Sequence, residues 1–325
     1  MNYQEIFEIR TEADFHSKAL QVFQYQYIHN TVYREYCNHL AVRPENVQEL
    51  WNIPFLPIQF FKSRKILSPE QTPEITFTSS GTTGNAASRH FVTDLKLYEL
   101  SYLKAFEQFY GPIKDYCVLA LLPSYLERNG SSLVYMVNDF IKKSNHPKSG
   151  FFLNELETLK KHLLELQRSN TKTLLIGVSF ALLDFVETHQ LRLKNTIVME
   201  TGGMKGRRKE MIRKELHKVL KKGFGVNKIH SEYGMTELLS QAYSKGEGIF
   251  ICPPWMKIMV RDTEDPFTNH QNGRSGGINV IDLANINSCA FIATQDLGKT
   301  YSNGSFEILG RFDHSDIRGC NLMVL

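Results

Sequence analysis

The chain has 325 residues, 42% of them hydrophobic and 22% charged, so it has enough apolar material for a large folded core and does not belong to the disordered class. Its formal net charge of +4 is far from the basic stripe of a dedicated nucleic-acid binder and suits an anionic small ligand. The 5 cysteines form no CxxC pair, so neither a zinc site nor a disulfide framework is indicated.

The N-terminus has no apolar core of the signal-peptide type, and the longest apolar run, 174–186, falls short of the ~20 residues of a membrane span. We therefore expect a cytoplasmic protein with no membrane span. Thr11 followed by Asp14, with apolar residues at helical spacing after them, predicts an N-terminal helix. The segment 53–63, IPFLPIQFFKS, holds two prolines among aromatic residues and predicts an extended connector.

Short apolar runs then alternate with stretches of helical period, which is typical of a sheet covered by helices. The predicted strands are 116–122, 173–178 and 196–199, and the predicted helices are 94–110, 131–143 and 154–167. Past residue 249 the runs become closely spaced and strand-like. With no linker in between, we predict one domain, 1–325, that is mainly α/β over 1–245 and β-rich over 246–325.

The sequence TSSGTTG follows a predicted strand and has the composition of a phosphate-binding loop. Its glycines let backbone N–H groups approach an anion, and its hydroxyls donate further hydrogen bonds. No lysine follows the last glycine, which excludes a Walker A loop, and a flexible turn is the alternative interpretation. The residues are Thr78, Ser79, Ser80, Gly81, Thr82, Thr83 and Gly84.

A second motif, YGMTE, comes directly after another strand-like run and comprises Tyr233, Gly234, Met235, Thr236 and Glu237. A threonine hydroxyl beside a carboxylate can hold a phosphate oxygen and a Mg²⁺ ion. By itself the motif fits equally a strand-to-helix turn in which Thr236 is the N-cap.

In this order and separation, the two motifs resemble the pair found in the ANL superfamily of adenylate-forming enzymes. Further segments strengthen the resemblance: TGGMKG looks like the turn against adenine, LLPSYLER like the loop that lines the acyl pocket, ATQDLG like the ribose-binding segment and GRFDHSDIRG like the hinge. The resemblance implies nucleotide contacts from Gly202, Gly203, Met204, Asp296 and Arg311, with Thr236 and Glu237 acting at the α-phosphate and at Mg²⁺.

The connector IPFLPIQFFKS, the loop SSGTTGNAASRH and the ending RGCNLMVL are similar to the acyl-protein synthetase (LuxE) family within that superfamily, which is related to phenylacetate-CoA ligases. The implied fold is α/β: the N-terminal ANL adenylation domain, with parallel sheet layers and a β-rich subdomain. Because the sequence ends six residues after Gly319, we expect the C-terminal lid domain of that superfamily to be lacking. The implied activity is ATP- and Mg²⁺-dependent activation of a fatty acid to acyl-AMP, followed by acyl transfer to a cysteine near the C-terminus.

That cysteine would be Cys320, whose thiol must ionise to act as a nucleophile; Arg311, His314 and Arg318 are close in sequence. The alternative is an ordinary apolar residue of a last strand. Two other functions stay open: an acyl- or aryl-CoA ligase, and a non-catalytic nucleotide-binding subunit of an acyl-reductase complex. The candidate partners are the carboxylic acid and, as acyl acceptors, a reductase, a carrier protein or CoA.

Two further features are given structural interpretations. Ser179 in GVSFA misses the nucleophile-elbow pattern by one residue and is predicted to be a helix N-cap. The basic stretch 205–222 is predicted to be a solvated helix face, with docking of an acidic partner as the lesser alternative.

Overall fold

A computed structural model describes residues 3–79, 87–123, 130–202 and 211–311. These residues form two compact units. The first contains 3–72 together with 254–311, and the second contains 73–253. The N-terminal helices therefore share a unit with the last strands, and the single-domain organisation stays a prediction.

The α-helices of the described segments are α1 (Glu12–His29), α2 (Thr31–His39), α3 (Phe60–Ser63), α4 (Leu95–Tyr110), α5 (Ser132–Ser144), α6 (Leu156–Arg168), α7 (Ser179–Thr188) and α8 (Arg213–Phe224). The strands are β1 (Leu56–Pro57), β2 (Ile75–Thr78), β3 (Arg89–Val92), β4 (Cys117–Leu121), β5 (Gly150–Phe151), β6 (Thr173–Val178), β7 (Thr196–Thr201), β8 (His230–Tyr233), β9 (Ala242–Ser244), β10 (Ile249–Ile251), β11 (Met256–Arg261), β12 (Ser275–Asp282), β13 (Phe291–Thr300) and β14 (Phe306–Arg311). None of the described helices has the length and apolar character needed to cross a membrane.

The first unit begins with the helix that the sequence predicts. The Thr11 hydroxyl accepts a hydrogen bond from the backbone N–H of Asp14, and the Asp14 carboxylate accepts one from the N–H of Thr11, which completes a capping box. The apolar face of α1 is buried, and Phe23 lies edge-on to Tyr33 and to Phe291. The predicted N-terminal helix is confirmed.

The sheet of the first unit is antiparallel over β11, β12, β13 and β14, and the short β1 adds a parallel pair beside β13. The segment 53–63, predicted to be an extended connector, is extended only in its first half, which contains β1. Its second half forms the single turn of α3, because its two prolines, Pro54 and Pro57, both precede that turn.

The second unit contains a mostly parallel sheet in the order β5, β4, β6, β7, β8, β9, β10, with β9 and β10 antiparallel to their neighbours. Every residue of β4 and of β6 is buried, as expected for strands covered on both faces. The predicted strands and the predicted helices that correspond to α4, α5 and α6 are confirmed. Of the basic stretch 205–222, residues 205–210 lie outside the described segments; on α8, Lys214, Lys218 and Lys222 are exposed, as expected for a solvated face.

A separate two-stranded hairpin, β2 and β3, belongs to the same unit. It pairs Thr78 with Arg89, so the predicted phosphate loop begins where this pairing ends. Among the described strands, β10 to β14 confirm the strand-rich pattern past residue 249.

Candidate functional site

The carboxyl ends of two neighbouring parallel strands bring two of the sequence motifs together. Strands β7 and β8 run in register, with Thr201 beside Glu232. Gly202 follows β7 with a positive φ of 67°, and Gly234 follows β8. Ligands of α/β proteins bind outside the carboxyl ends of parallel strands, where the strand order or direction changes, and β9 is the strand at which this sheet turns antiparallel.

The YGMTE motif forms a turn at this edge. The backbone N–H of Leu238 donates to the carbonyl of Met235 at 3.1 Å, with Thr236 half-buried and Glu237 5% exposed. The chain continues into β9 rather than into a helix, so the alternative of Thr236 as a helix N-cap is wrong. Within the described segments, no three His, Cys, Asp or Glu residues gather as a metal-binding group, and Glu237 as the Mg²⁺ ligand stays a prediction.

Thr236 is held by a residue that sequence analysis missed. His90 of β3 is fully buried, and its Nδ1 donates to the carbonyl oxygen of Thr236 at 2.8 Å. The carbonyl oxygen has no proton to give, so the imidazole must carry its proton on Nδ1. This contact joins the β2–β3 hairpin to the YGMTE turn.

The first two residues of the predicted phosphate loop lie at the base of this hairpin. Thr78 donates its backbone N–H to the carbonyl of Gly130 at 2.7 Å. Ser79 donates its N–H to the carbonyl of Ser88 at 3.1 Å, and Ser88 returns an N–H to the Ser79 hydroxyl at 2.9 Å. Ser79 and Ser88, which flank residues 80–86 in the sequence, are thus hydrogen-bonded to each other.

Gly202, predicted to contact adenine, has its carbonyl oxygen fixed by a buried hydroxyl. The Ser179 Oγ donates to this carbonyl at 2.8 Å and also lies 3.3 Å from Glu200 Oε2. The prediction that Ser179 is an N-cap is wrong by one residue, because Val178 occupies the cap position and makes no side-chain cap. The hydroxyl is directed toward the end of β7 instead.

Glu200 is the centre of a buried ionic network beneath this edge. Arg213 Nε lies 3.3 Å from Glu200 Oε1, and His217 Nε2 lies 3.5 Å from the same oxygen. Burial alone would raise the pKa of Glu200, but the hydrogen bond from His217 and the charge of Arg213 outweigh burial and hold the pKa below its ordinary value. The carboxyl is therefore ionised at neutral pH.

A second buried carboxyl, Glu232, lies next to it at the end of β8. Its Oε2 is 2.5 Å from Thr201 Oγ1, and a Cβ at position 234 would collide with its Oε1. Burial raises the pKa of Glu232 to about 7; the hydrogen bond from Thr201 opposes this rise and the negative charge of Glu200 adds to it. A side chain at position 234 would therefore displace the Glu232 carboxyl from its present position.

In the other unit, Asp296 and Arg311 are direct neighbours across β13 and β14. Arg311 Nε lies 3.2 Å from Asp296 Oδ1, with the arginine side chain 70% exposed and the aspartate side chain 11% exposed. Arg261 is buried in the same sheet and donates to the carbonyls of Ile278 and Thr294. Burial lowers the pKa of Arg261 to about 10, an effect that the charges of Tyr36 and Asp296 oppose.

The remaining predicted site residues lie outside the described segments. They are Ser80, Gly81, Thr82, Thr83, Gly84, Gly203, Met204 and Cys320. Of the other predicted residues, the structure groups Thr78, Ser79, Gly202, the YGMTE turn and their supports within one unit, and pairs Asp296 with Arg311 in the other.

The fold is the α/β fold of ANL-type adenylation domains. The chain superimposes on 2-hydroxyisobutyryl-CoA ligase, solved with 2-HIB-AMP, with a TM-score of 0.67 and 12% identity over 93% of this chain and 68% of that one. It superimposes on ATP-bound MatB from Rhodopseudomonas palustris with a TM-score of 0.53 and 18% identity over 73% of this chain and 47% of that one.

The family follows from the sequence match. The family described as "Acyl-protein synthetase, LuxE" matches residues 6–325, and the chain therefore belongs to this family.

Two long-chain-fatty-acid–luciferin-component ligases are similar to part of the chain. The protein from Vibrio harveyi is 41% identical over 63 residues, which is 19% of this chain and 16% of that protein. The one from Photorhabdus luminescens is 41% identical over 67 residues, which is 20% of this chain and 57% of that protein. Each match thus covers less than two thirds of the relative's own length.

Proposed function

We propose that this protein uses ATP to convert a carboxylic acid into its acyl-AMP and then transfers the acyl group to a thiol. The preferred acid under this proposal is a long-chain fatty acid. The observation that carries the proposal is the YGMTE turn at the end of β8. The carbonyl oxygen of Thr236 in this turn is hydrogen-bonded to His90, which lies on the β2–β3 hairpin where the serine- and threonine-rich loop begins. The family description and the names of the two relatives support a fatty acid and a ligase reaction.

In the first step, a carboxylate oxygen of the acid attacks the α-phosphorus of ATP. The bond from that phosphorus to the oxygen bridging the β-phosphorus breaks, and pyrophosphate leaves. The Thr236 hydroxyl and the loop hydroxyls are suited to donate to phosphate oxygens, and Glu237 to hold Mg²⁺, which neutralises phosphate charge. Positioning and charge neutralisation account for such a step without covalent help from the protein.

In the second step, a thiolate that has already lost its proton attacks the acyl carbonyl carbon, a thioester forms, and AMP leaves with the electron pair of the broken C–O bond. The resemblance of the ending RGCNLMVL to the family supports Cys320 as the acceptor, and three of the described cysteines are poor alternatives. Cys37, Cys117 and Cys289 are buried, and burial raises the pKa of Cys37 to about 12 and of Cys117 to about 11. Cys252 is half-buried and provides a matched control.

A CoA ligase is the second candidate, and the superposition on 2-hydroxyisobutyryl-CoA ligase in complex with 2-HIB-AMP and CoA favours it. In this case the CoA thiol replaces Cys320 as the nucleophile, and the first step is unchanged. The two candidates therefore differ only in where the acyl group is found after AMP has left.

Single-turnover labelling distinguishes these outcomes. The protein, Cys320→Ala and Cys252→Ala are each mixed with ATP and radiolabelled fatty acid, with and without CoA, and label is measured as acyl-AMP, acyl-CoA and denatured protein. We expect protein-bound label in the wild type and Cys252→Ala, and only acyl-AMP in Cys320→Ala. Label that passes to CoA equally in all three proteins supports the CoA ligase. No acyl-AMP in any of them contradicts both candidates.

A further inference from the structure

The carboxyl group of Glu232 lies between the ends of two strands that both lead into predicted nucleotide-binding segments. Its Oε2 contacts Thr201, the last residue of β7, and its Oε1 lies against Gly234, just beyond β8. Both contacts adjoin the predicted site directly: Gly202 follows Thr201, and Gly234 is itself a predicted site residue. The ladder pairing of the two strands ends at Thr201 and Glu232, so a shift of this carboxyl would disturb the unpaired residues just beyond it.

From this geometry we infer that Glu232, bonded to Thr201, is a positioning residue that sets the separation between Gly202 and the Tyr233–Glu237 turn, and so the affinity of the site for ATP. The inference rests on the proposed function only for the identity of the nucleotide. Glu232 itself is buried beneath the turn, with 8% exposure, and its contacts within the described segments are with protein groups.

The charged and titratable groups around Glu232 determine the protonation state of its carboxyl. The groups that face it are Glu200 of β7, which is ionised, and the buried phenol of Tyr243 on β9. Arg213 and His217 of α8 are paired with Glu200. With burial and Glu200 raising its pKa to about 7, Glu232 is largely neutral below that pH while its Oε2 accepts the hydrogen bond from the Thr201 hydroxyl.

Ionisation of Glu232 would place a second negative charge beside that of Glu200, and both carboxyl groups are buried. Two carboxylates in one site repel each other, and the ionised pair would also repel the phosphates of ATP. The separation of the strand ends, and with it ATP affinity, should therefore change as pH rises through about 7.

The test compares conservative variants at both ends of the hydrogen bond. Thr201→Val removes the hydroxyl at nearly constant shape, Thr201→Ser keeps it, and Glu232→Gln keeps a neutral hydrogen-bonding group at every pH. ATP binding is measured by calorimetry from pH 6 to pH 8.5. We expect about 5- to 30-fold weaker binding in Thr201→Val, as for loss of a buried hydrogen bond, and near-normal binding in Thr201→Ser.

Glu232→Gln should bind ATP with less pH dependence than the wild type, since ionisation of ATP itself is common to both proteins. An unchanged pH profile in Glu232→Gln, or wild-type binding by Thr201→Val, overturns the inference. If the wild type binds no ATP, the proposed function fails instead. Amide hydrogen exchange at Gly202 and Gly234 then decides the positioning role: faster exchange in Thr201→Val than in Thr201→Ser supports it, and equal exchange contradicts it.

Discussion

The Nδ1 atom of His90 lies 2.8 Å from the carbonyl oxygen of Thr236, 146 positions later in the chain. This hydrogen bond fixes the backbone of the residue whose hydroxyl is proposed to contact phosphate, and it starts from the hairpin that frames the other proposed phosphate loop. Two segments far apart in sequence are thereby held in one relative position.

Replacing His90 should impair the reaction more than it impairs folding. Loss of a buried hydrogen bond costs roughly 1–2 kcal/mol, so His90→Ala is expected to slow acid-dependent pyrophosphate exchange by about 5- to 30-fold. His189→Ala is the control for general destabilisation, because His189 is another buried histidine and its ring packs against Phe185. Equal loss of exchange in both variants would show that His90 has no special relation to the turn.

The pair of Asp296 and Arg311 should matter for nucleotide binding and little for stability. Because Arg311 is 70% exposed, the ion pair is worth only about 0–1 kcal/mol. Asp296→Asn is expected to raise the KM for ATP about tenfold or more, as for loss of a hydrogen bond from a charged group. Glu307→Gln removes a comparable pair with Lys299 on the same two strands and should leave the KM unchanged. An unchanged KM in Asp296→Asn would remove this residue from the site.

Ser179 should contribute through Gly202. Ser179→Ala leaves the Gly202 carbonyl without its donor, and we expect the KM for ATP to rise about fivefold, the effect of roughly 1 kcal/mol. Ser144→Ala removes a similarly buried hydroxyl, which donates to the carbonyl of Ile141 within α5, and serves as the control. If both variants have the wild-type KM, the contact at Gly202 does not affect the nucleotide.

The raised pKa of Glu232 predicts a dependence of stability on pH. The folded protein holds this proton up to a pH of about 7, whereas the unfolded chain releases it near 4.5. Between these values the folded state binds more protons, so the free energy of unfolding must fall as pH rises, by roughly 3 kcal/mol at most for this group.

Glu232→Gln should remove this contribution. The difference in the free energy of unfolding, variant minus wild type, is expected to be more positive at pH 8 than at pH 5, as measured by urea unfolding at both values. Glu215→Gln, at an exposed position on α8, should follow the wild type. The same pH dependence in wild type and Glu232→Gln would show that Glu232 is not protonated in the folded state near neutral pH.

The fold could be predicted from the sequence wherever one segment carries its own signal. The hydroxyl of Thr11 and the carboxylate of Asp14 lie within one helical turn, so the start of α1 was readable. Strands such as β6 were readable because burial on both faces demands a continuous apolar run. That α1 and β13 belong to the same unit is not predictable in this way, since it depends on packing between segments far apart in sequence.

The candidate site shows the same division. The YGMTE motif could be found because its chemistry is contained in adjacent residues. His90, Ser179 and Glu232 could not, because each acts through a partner on another strand or helix, and isolated polar residues give no pattern in a sequence. Serine favours the N-cap position, which is why the sequence predicts a cap at residue 179, but in the structure its hydroxyl donates to the Gly202 carbonyl just beyond β7.

The most direct test of the central claim is carboxylate-dependent exchange of radiolabelled pyrophosphate into ATP, measured over fatty and aryl acids of different length. Glu237→Gln is the test variant, and Glu215→Gln on the exposed face of α8 is its control. We predict exchange with at least one acid in the wild type and the control, and its loss in Glu237→Gln. Absence of exchange with every acid would contradict the proposed activity. Full exchange in Glu237→Gln would contradict the proposed role of the YGMTE turn.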